Sequence, residues 1–291
     1  MHEYSMAPSP FADLPRIKIA QGGGLKHLER ILGLLQDSHR LCSLDAVFIS
    51  IDLEVSRDER AKILKSSDRP SIKEYGFATL DTRDISGRSE QIGFNQLFST
   101  HHFSTALGSR PKTRLGTAIT TIRKCNFAQT NQVGQDGLLS IITKSLRIED
   151  SNASSPGPCL RNIVIVGHSV KPDLRILQRS EIDIFTIAPV AAILDTHNMA
   201  CEVLGPTSTR LNGHAPIASF TLSGVLTGLH CPHDKTRLHN AGNDATYTLF
   251  VLLKLAIRSG QARALSSIES ENLKNLTSLT LIGPADIEAK E

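Results

Sequence analysis

The sequence predicts an α/β fold, a mixed five-stranded sheet flanked by helices, with an antiparallel meander followed by parallel strands. Two observations carry this reading. Three β-rich apolar runs come first, AVFISID at 46–52, EYGFATLD at 74–81 and NQLFSTHHFS at 95–104, and the links between them suit antiparallel neighbours. From residue 161 onward, strand-like and helix-like segments alternate.

Composition sets the bounds. At 291 residues the chain has room for one large domain or two small ones, and 40% hydrophobic residues supply a core. A net charge of +3 neither demands nor excludes a nucleic-acid partner. Cys42, Cys125, Cys159, Cys201 and Cys231 form no close pairs, which argues against a zinc signature or a disulfide framework. They are expected to be reduced thiols in an intracellular protein, cytoplasmic or nuclear. NASS and NLTS match the glycosylation pattern but are set aside, because no apolar secretory segment opens the chain. No apolar run is long enough to span a bilayer, so no membrane partner is expected.

The elements follow in order. Residues 1–44 read as an arm and a helix, with Leu25, Leu28, Ile31, Leu32 and Leu35 on one face of 25–36. Residues 45–258 form the main domain, which holds a basic and flexible insertion at 105–160. Within it, 105–135 carries Arg110, Lys112, Arg114, Arg123 and Lys124 and no acid, as either a solvated loop and helix or a phosphate-contacting arm. GLLSIITKSL predicts a helix and IEDSNASSPGP, 148–158, a turn-rich link. RNIVIVGH, 161–168, is a buried strand. VKPDLRILQRS is the helix after it, with Pro172 suited to the first helical position. Another strand falls within 182–196 and ends near Asp195, and a short helix falls around 219–229. LHNAGNDATYTL, 238–249, opens a long helix striped by Leu249, Leu252, Leu253 and Ala256. In that stretch Gly242 permits an unusual backbone angle, Asn243 is the expected N-cap, and Asp244 falls in the first turn. His239, five residues before Asp244, lies outside the helix. The tail, 259–291, has no assigned structure.

Four carboxylates fall at similar places. Asp52 and Glu54 end the first strand two residues apart, so they share a side. Asp173 opens the helix after the buried strand, and Asp244 opens the long helix. Each has an ordinary reading: an acidic strand end in solvent, a first-turn acid favouring the helix dipole, or a capped helix start with an incidental histidine. Together they sit where α/β sheets build sites. Carboxylates packed at one edge repel and call for a cation, and oxygen ligands favour Mg²⁺ or Mn²⁺. Two such ions can clamp the oxygens of phosphoryl transfer, and a nearby imidazole can accept a proton from water. His168 reads as a strand-end support, and His101 and His102 read as structural or surface residues. Gly22–Gly24 lacks the pattern of a phosphate loop. Asp286 and Glu288 repeat the acid-x-acid spacing with no strand before them.

The sequence IDLE (Asp52, Glu54), VGHSVKPDLRIL (Asp173) and HNAGND (His239, Asp244) resembles the DEDD superfamily of 3′–5′ exonucleases, on the ribonuclease H-like fold, in its histidine-bearing DEDDh branch. FISIDLE, EYGFATLDTRDI, VGHSVKPDL and LHNAGNDATYTL look closest to the fungal Gfd-type domain ("good for full DEAD-box protein activity"). The resemblance spans about 45–255. It implies that Asp52 bridges two ions, that Glu54 and Asp244 complete the ion and water sites, that Asp173 holds the second ion mostly through water, and that His239 is the general base. It also implies release of nucleoside 5′-monophosphates from a 3′ end of RNA or single-stranded nucleic acid. RNA is the favoured substrate, DNA is an alternative, and an RNA-processing protein is an expected partner. Two features depart from the family pattern: Val55-Ser56-Arg57 replaces a threonine- and glycine-bearing turn, and Pro172 replaces an aromatic residue. A catalytically silent adaptor that binds nucleic acid or a protein partner, and an endonuclease cutting within a strand, remain as alternative readings.

Overall fold

A computed structural model of the chain describes residues 24–35, 45–56, 69–85, 97–105, 124–152, 159–205 and 220–281. Arg110, Lys112, Arg114, Asp286 and Glu288 lie outside the described residues, as do most of the N-terminal arm and part of 148–158.

The elements in chain order are α1 (Leu25–Ile31), β1 (Ala46–Val55), β2 (Ile72–Asp81), α2 (Thr82–Ile85), β3 (Ser99–Thr105), β4 (Thr130–Val133) and α3 (Gln135–Ser145). After them come β5 (Asn162–Gly167), α4 (Lys171–Arg179), α5 (Ile184–Ile187), β6 (Val190–Asp195), α6 (Thr196–Leu204), α7 (Leu222–Gly228), α8 (Ala241–Gln261) and α9 (Ser267–Leu279). The sheet order is β4-β3-β2-β1-β5-β6. The pairs β1–β2 and β2–β3 are antiparallel, and the other neighbours are parallel. This is the expected meander followed by parallel strands, with six strands rather than five. The added strand, β4, is the polar edge segment TNQV, half-buried to exposed, and no apolar alternation announces it.

The central strand β1 is covered on both faces. Ala46 and Phe48 lie in one core with Ala78, Leu80, Val164, Val166 and the apolar side of α8, which also takes in Leu25, Leu28 and Ile31 of α1. Val47, Ile49, Ile51 and Leu53 lie in the other, against Leu138 and Ile142 of α3 and Leu174, Ile176 and Leu177 of α4. Strand β5 pairs with β1 only from Ala46 to Ser50. The last residues of β1 therefore run past their neighbour and leave that backbone edge to another partner.

Three local expectations shift. Lys171 opens α4, so Pro172 takes the second helical position, where its missing N–H is equally costless. Leu32 is the C-cap of α1, so Leu32 and Leu35 fall beyond the helix. In the tail, Ser266 and Glu269 form a reciprocal capping box that starts α9.

At the start of β1 lies an ion-pair network. Arg161, only 5% exposed, meets Asp81 at 2.7 Å and Asp45 at 2.6 Å. Arg83 meets Asp45 at 2.5 Å and Asp150 at 2.8 Å. Burial alone would raise the Asp81 carboxyl, but the bonds from Arg161 and from the Arg83 backbone hold it below the ordinary carboxylate value.

Candidate metal centre

Asp52 and Glu54 occupy the last even positions of β1, on the face that α8 covers. In the register with β2, Asp52 stands opposite Gly76 and Glu54 opposite Glu74. A Cβ on Gly76 would lie 2.0 Å from the carbonyl carbon and oxygen of Ala241. Bare backbone at that position is what lets the start of α8 lie directly on the sheet beside the two acids. Glu74 Oε2 accepts from the Ala241 N–H at 3.3 Å and from His102 Nε2 at 3.1 Å. The buried His102 also meets Thr130 Oγ1 at 2.9 Å, which joins β4 to the assembly.

The turn entering α8 corrects the sequence reading in two ways. The N-cap is Asn240, whose side-chain oxygen accepts from the Asn243 N–H at 3.1 Å. Asn243 is instead the third helical residue. The unusual backbone angle belongs to His239, with φ of 61°, and not to Gly242. Gly242 is needed for space, because a Cβ there would lie 2.7 Å from Cys125 Sγ and 2.8 Å from His102 Cβ. His239 does lie outside the helix, and its backbone N–H donates to Asp244 Oδ2 at 3.0 Å.

The result is convergence. Ligand atoms of half-buried Glu54, exposed His239 and buried Asp244 all lie within 4.8 Å of one another. Asp173, in the first turn of α4, accepts from the Leu53 N–H through Oδ1 at 3.1 Å. That bond uses the edge of β1 that β5 leaves open, between the two acids of the strand. Three of the five expected site residues thus form one cluster, Asp52 shares the strand face of Glu54, and Asp173 is tied to the backbone between them.

The donor set fits a divalent metal ion. Two carboxylates and an imidazole with ligand atoms within 4.8 Å of one another are close to the roughly 4 Å that opposite ligands of such an ion span. Carboxylates at this spacing are mutually repulsive without positive charge among them.

His168 is a support residue here. Its Nδ1 meets Thr196 Oγ1 at 3.0 Å and its Nε2 meets the Phe220 carbonyl at 2.8 Å. Burial pushes its pKa down to about 4, so it is neutral at physiological pH. Sequence reasoning missed Gly76, Glu74 and the site-facing place of His102. A glycine inside the strand pattern EYGFATLD was a usable signal of close backbone approach. Glu74 and His102 carry no such local signal.

The six-stranded mixed sheet flanked by helices, its acidic edge completed by an imidazole–carboxylate turn, is the expected ribonuclease H-like fold. The chain belongs to a DEDDh exonuclease family, the one described as DNA polymerase III subunit epsilon-like, C-terminal domain, which matches residues 47–255. No curated protein matches it. Among solved structures, it is similar to product-bound exonuclease I, with 14% identity, a TM-score of 0.42, and coverage of 78% of this chain and 46% of that one. A zinc-bound complex of Escherichia coli exonuclease I with single-stranded DNA gives 14%, 0.40, 72% and 40% in the same measures. The RNase domain of yeast Pop2 gives 14%, 0.41, 84% and 85%. The chain spans less than half the length of the exonuclease I chains. Among the described residues, no helix is long and apolar enough to cross a membrane.

Proposed function

We propose that this protein is a metal-dependent 3′–5′ exonuclease that hydrolyses phosphodiester bonds at the 3′ ends of RNA or other single-stranded nucleic acid. The observation that supports this most is the convergence of Glu54, His239 and Asp244 within 4.8 Å. Asp52, Glu54, Asp173 and Asp244 would hold two Mg²⁺ or Mn²⁺ ions. Such ions, when bound, would acidify a water and neutralise charge developing on the phosphate. The exposed imidazole of His239 is the proton acceptor for the attacking water, and its position ahead of the helix leaves it open to substrate. Asp244 contributes twice, as a ligand and as the acceptor that fixes the His239 backbone.

The catalytic domain is residues 45–258. Arg110, Lys112 and Arg114 contact the substrate phosphates, RNA is the favoured substrate, and the working context is intracellular, with an RNA-processing partner in the manner of Gfd-type domains. The experiment uses 3′-labelled and 5′-labelled oligoribonucleotides with added Mg²⁺ or Mn²⁺. The reading expects labelled mononucleotide first from the 3′ label and a descending ladder from the 5′ label. Internal fragments as first products would replace it with an endonuclease. Retained, uncut RNA would replace it with an adaptor.

A further inference from the structure

The turn HNAGND contains two asparagines, and capping explains only Asn240. Asn243 is completely buried, and its side chain joins three segments. Its Oδ1 accepts from the Asn126 N–H at 2.8 Å. Its Nδ2 donates to the Lys124 carbonyl at 3.1 Å and to the Arg237 carbonyl at 3.0 Å. The last of these bonds closes the loop that holds His239 in its left-handed conformation, which strains a side-chain-bearing residue. A second bond closes the same loop, from the His239 N–H to Asp244 Oδ2.

These two closures differ in kind. The Asp244 carboxylate belongs to the candidate ligand cluster, so its orientation answers to a bound cation as well as to the His239 N–H. The Asn243 amide is neutral and faces only backbone groups, so a cation leaves it in place. We infer that Asn243 is a positioning residue: it holds the His239 turn independently of Asp244, so that the carboxylate can turn to the cation without releasing the imidazole. This rests on the exonuclease reading for its consequence, but the turn itself can be observed without it.

The test compares wild type with Asn243→Ala, and with the milder Asn243→Ser, by hydrogen–deuterium exchange across 237–244 with and without Mn²⁺, alongside kcat and KM on an oligoribonucleotide. The expected result is faster exchange confined to 237–244 and 124–126, growing when Mn²⁺ is added, with unchanged exchange in β1 and β5. On the activity side, kcat falls at least 10-fold while KM stays within about 2-fold. Exchange that rises uniformly over the sheet, or an unchanged 237–244 segment, would overturn the inference. So would normal kcat in a variant with a loosened turn. If the wild type cleaves nothing, the exonuclease reading fails, and the exchange pattern alone decides whether Asn243 holds the turn.

Discussion

The two ends of β1 carry the same kind of side chain and come to opposite outcomes. At its start, Asp45 and the neighbouring Asp81 and Asp150 are met by the guanidinium groups of Arg83 and Arg161. At its finish, Asp173 and Asp244 are held by backbone N–H groups of Leu53 and His239, and ligand atoms converge with an imidazole. Guanidinium bonds match carboxylate charge with charge from the chain itself and close the structure. Backbone N–H bonds orient a carboxylate without themselves matching its charge. A row of aspartates in this sequence is therefore no sign of function by itself. What faces each carboxylate decides.

Changes at the finishing end have the largest expected effect. Asp244→Asn or Asp52→Asn should lower kcat by ~10²–10⁴ or more, and His239→Ala by ~10²–10⁴, the usual cost of losing a general base. Melting temperatures without added ion should stay near that of wild type. A full-rate Asp52→Asn enzyme would show that the two ends do not differ in function.

Gly76→Ala sharpens the comparison from the scaffold side. The new Cβ meets backbone of α8 rather than a side chain that can swing away. Stability should fall by about 3 kcal/mol, the upper range for overpacking, and the shift of the His239 turn should lower activity in step. Denaturant unfolding and turnover of the same preparation check both parts.

A similar loss of stability is expected on acidification, through His168. Its pKa is about 4 in the fold against an ordinary 6.5, so the unfolded chain takes up a proton that the folded chain refuses across that range. Stability should fall as the pH drops from 6.5 toward 4, by about 3 kcal/mol in all. His168→Gln should flatten that part of the curve. Asp81 and Asp150 add a further loss below their ordinary value of 3.8, because both are held low by Arg83 or Arg161.

The mildest of these effects belongs to the starting end. Arg161→Met should cost about 2 kcal/mol, from charge-assisted bonds lost at partly exposed acids, with kcat unchanged. A change in kcat of more than a few fold would mean that the closed end is coupled to the site.

Much of this was legible because it is local. The run AVFISID is apolar apart from Ser50 until its last residue, so its strand and its acidic finish can be read without knowing any neighbour. His239 and Asp244 were placed correctly around a helix start for the same reason. The errors have causes that lie outside the local stretch. NAGN offers two asparagines, either of which satisfies capping chemistry, and the side chain of Asn243 is taken up by backbone at 124–126 and Arg237, which no local pattern shows. Strand β4 is polar because it sits at a sheet edge, so no alternation marks it. The pairing of Glu54 with Glu74 and of Asp52 with Gly76 is a fact of register, which no single strand contains. Helix α9 was legible after all, since Ser266 and Glu269 have capping-box spacing.

The central claim is that the finish of β1 is a divalent-cation site and the start of β1 is not. Crystals soaked in Mn²⁺, measured at the manganese absorption edge, test it most directly. The account predicts anomalous density among Asp52, Glu54, Asp173, His239 and Asp244 and none beside Asp45, Asp81 or Asp150. Density only at the starting end, or none at the finishing end at saturating Mn²⁺, would contradict it.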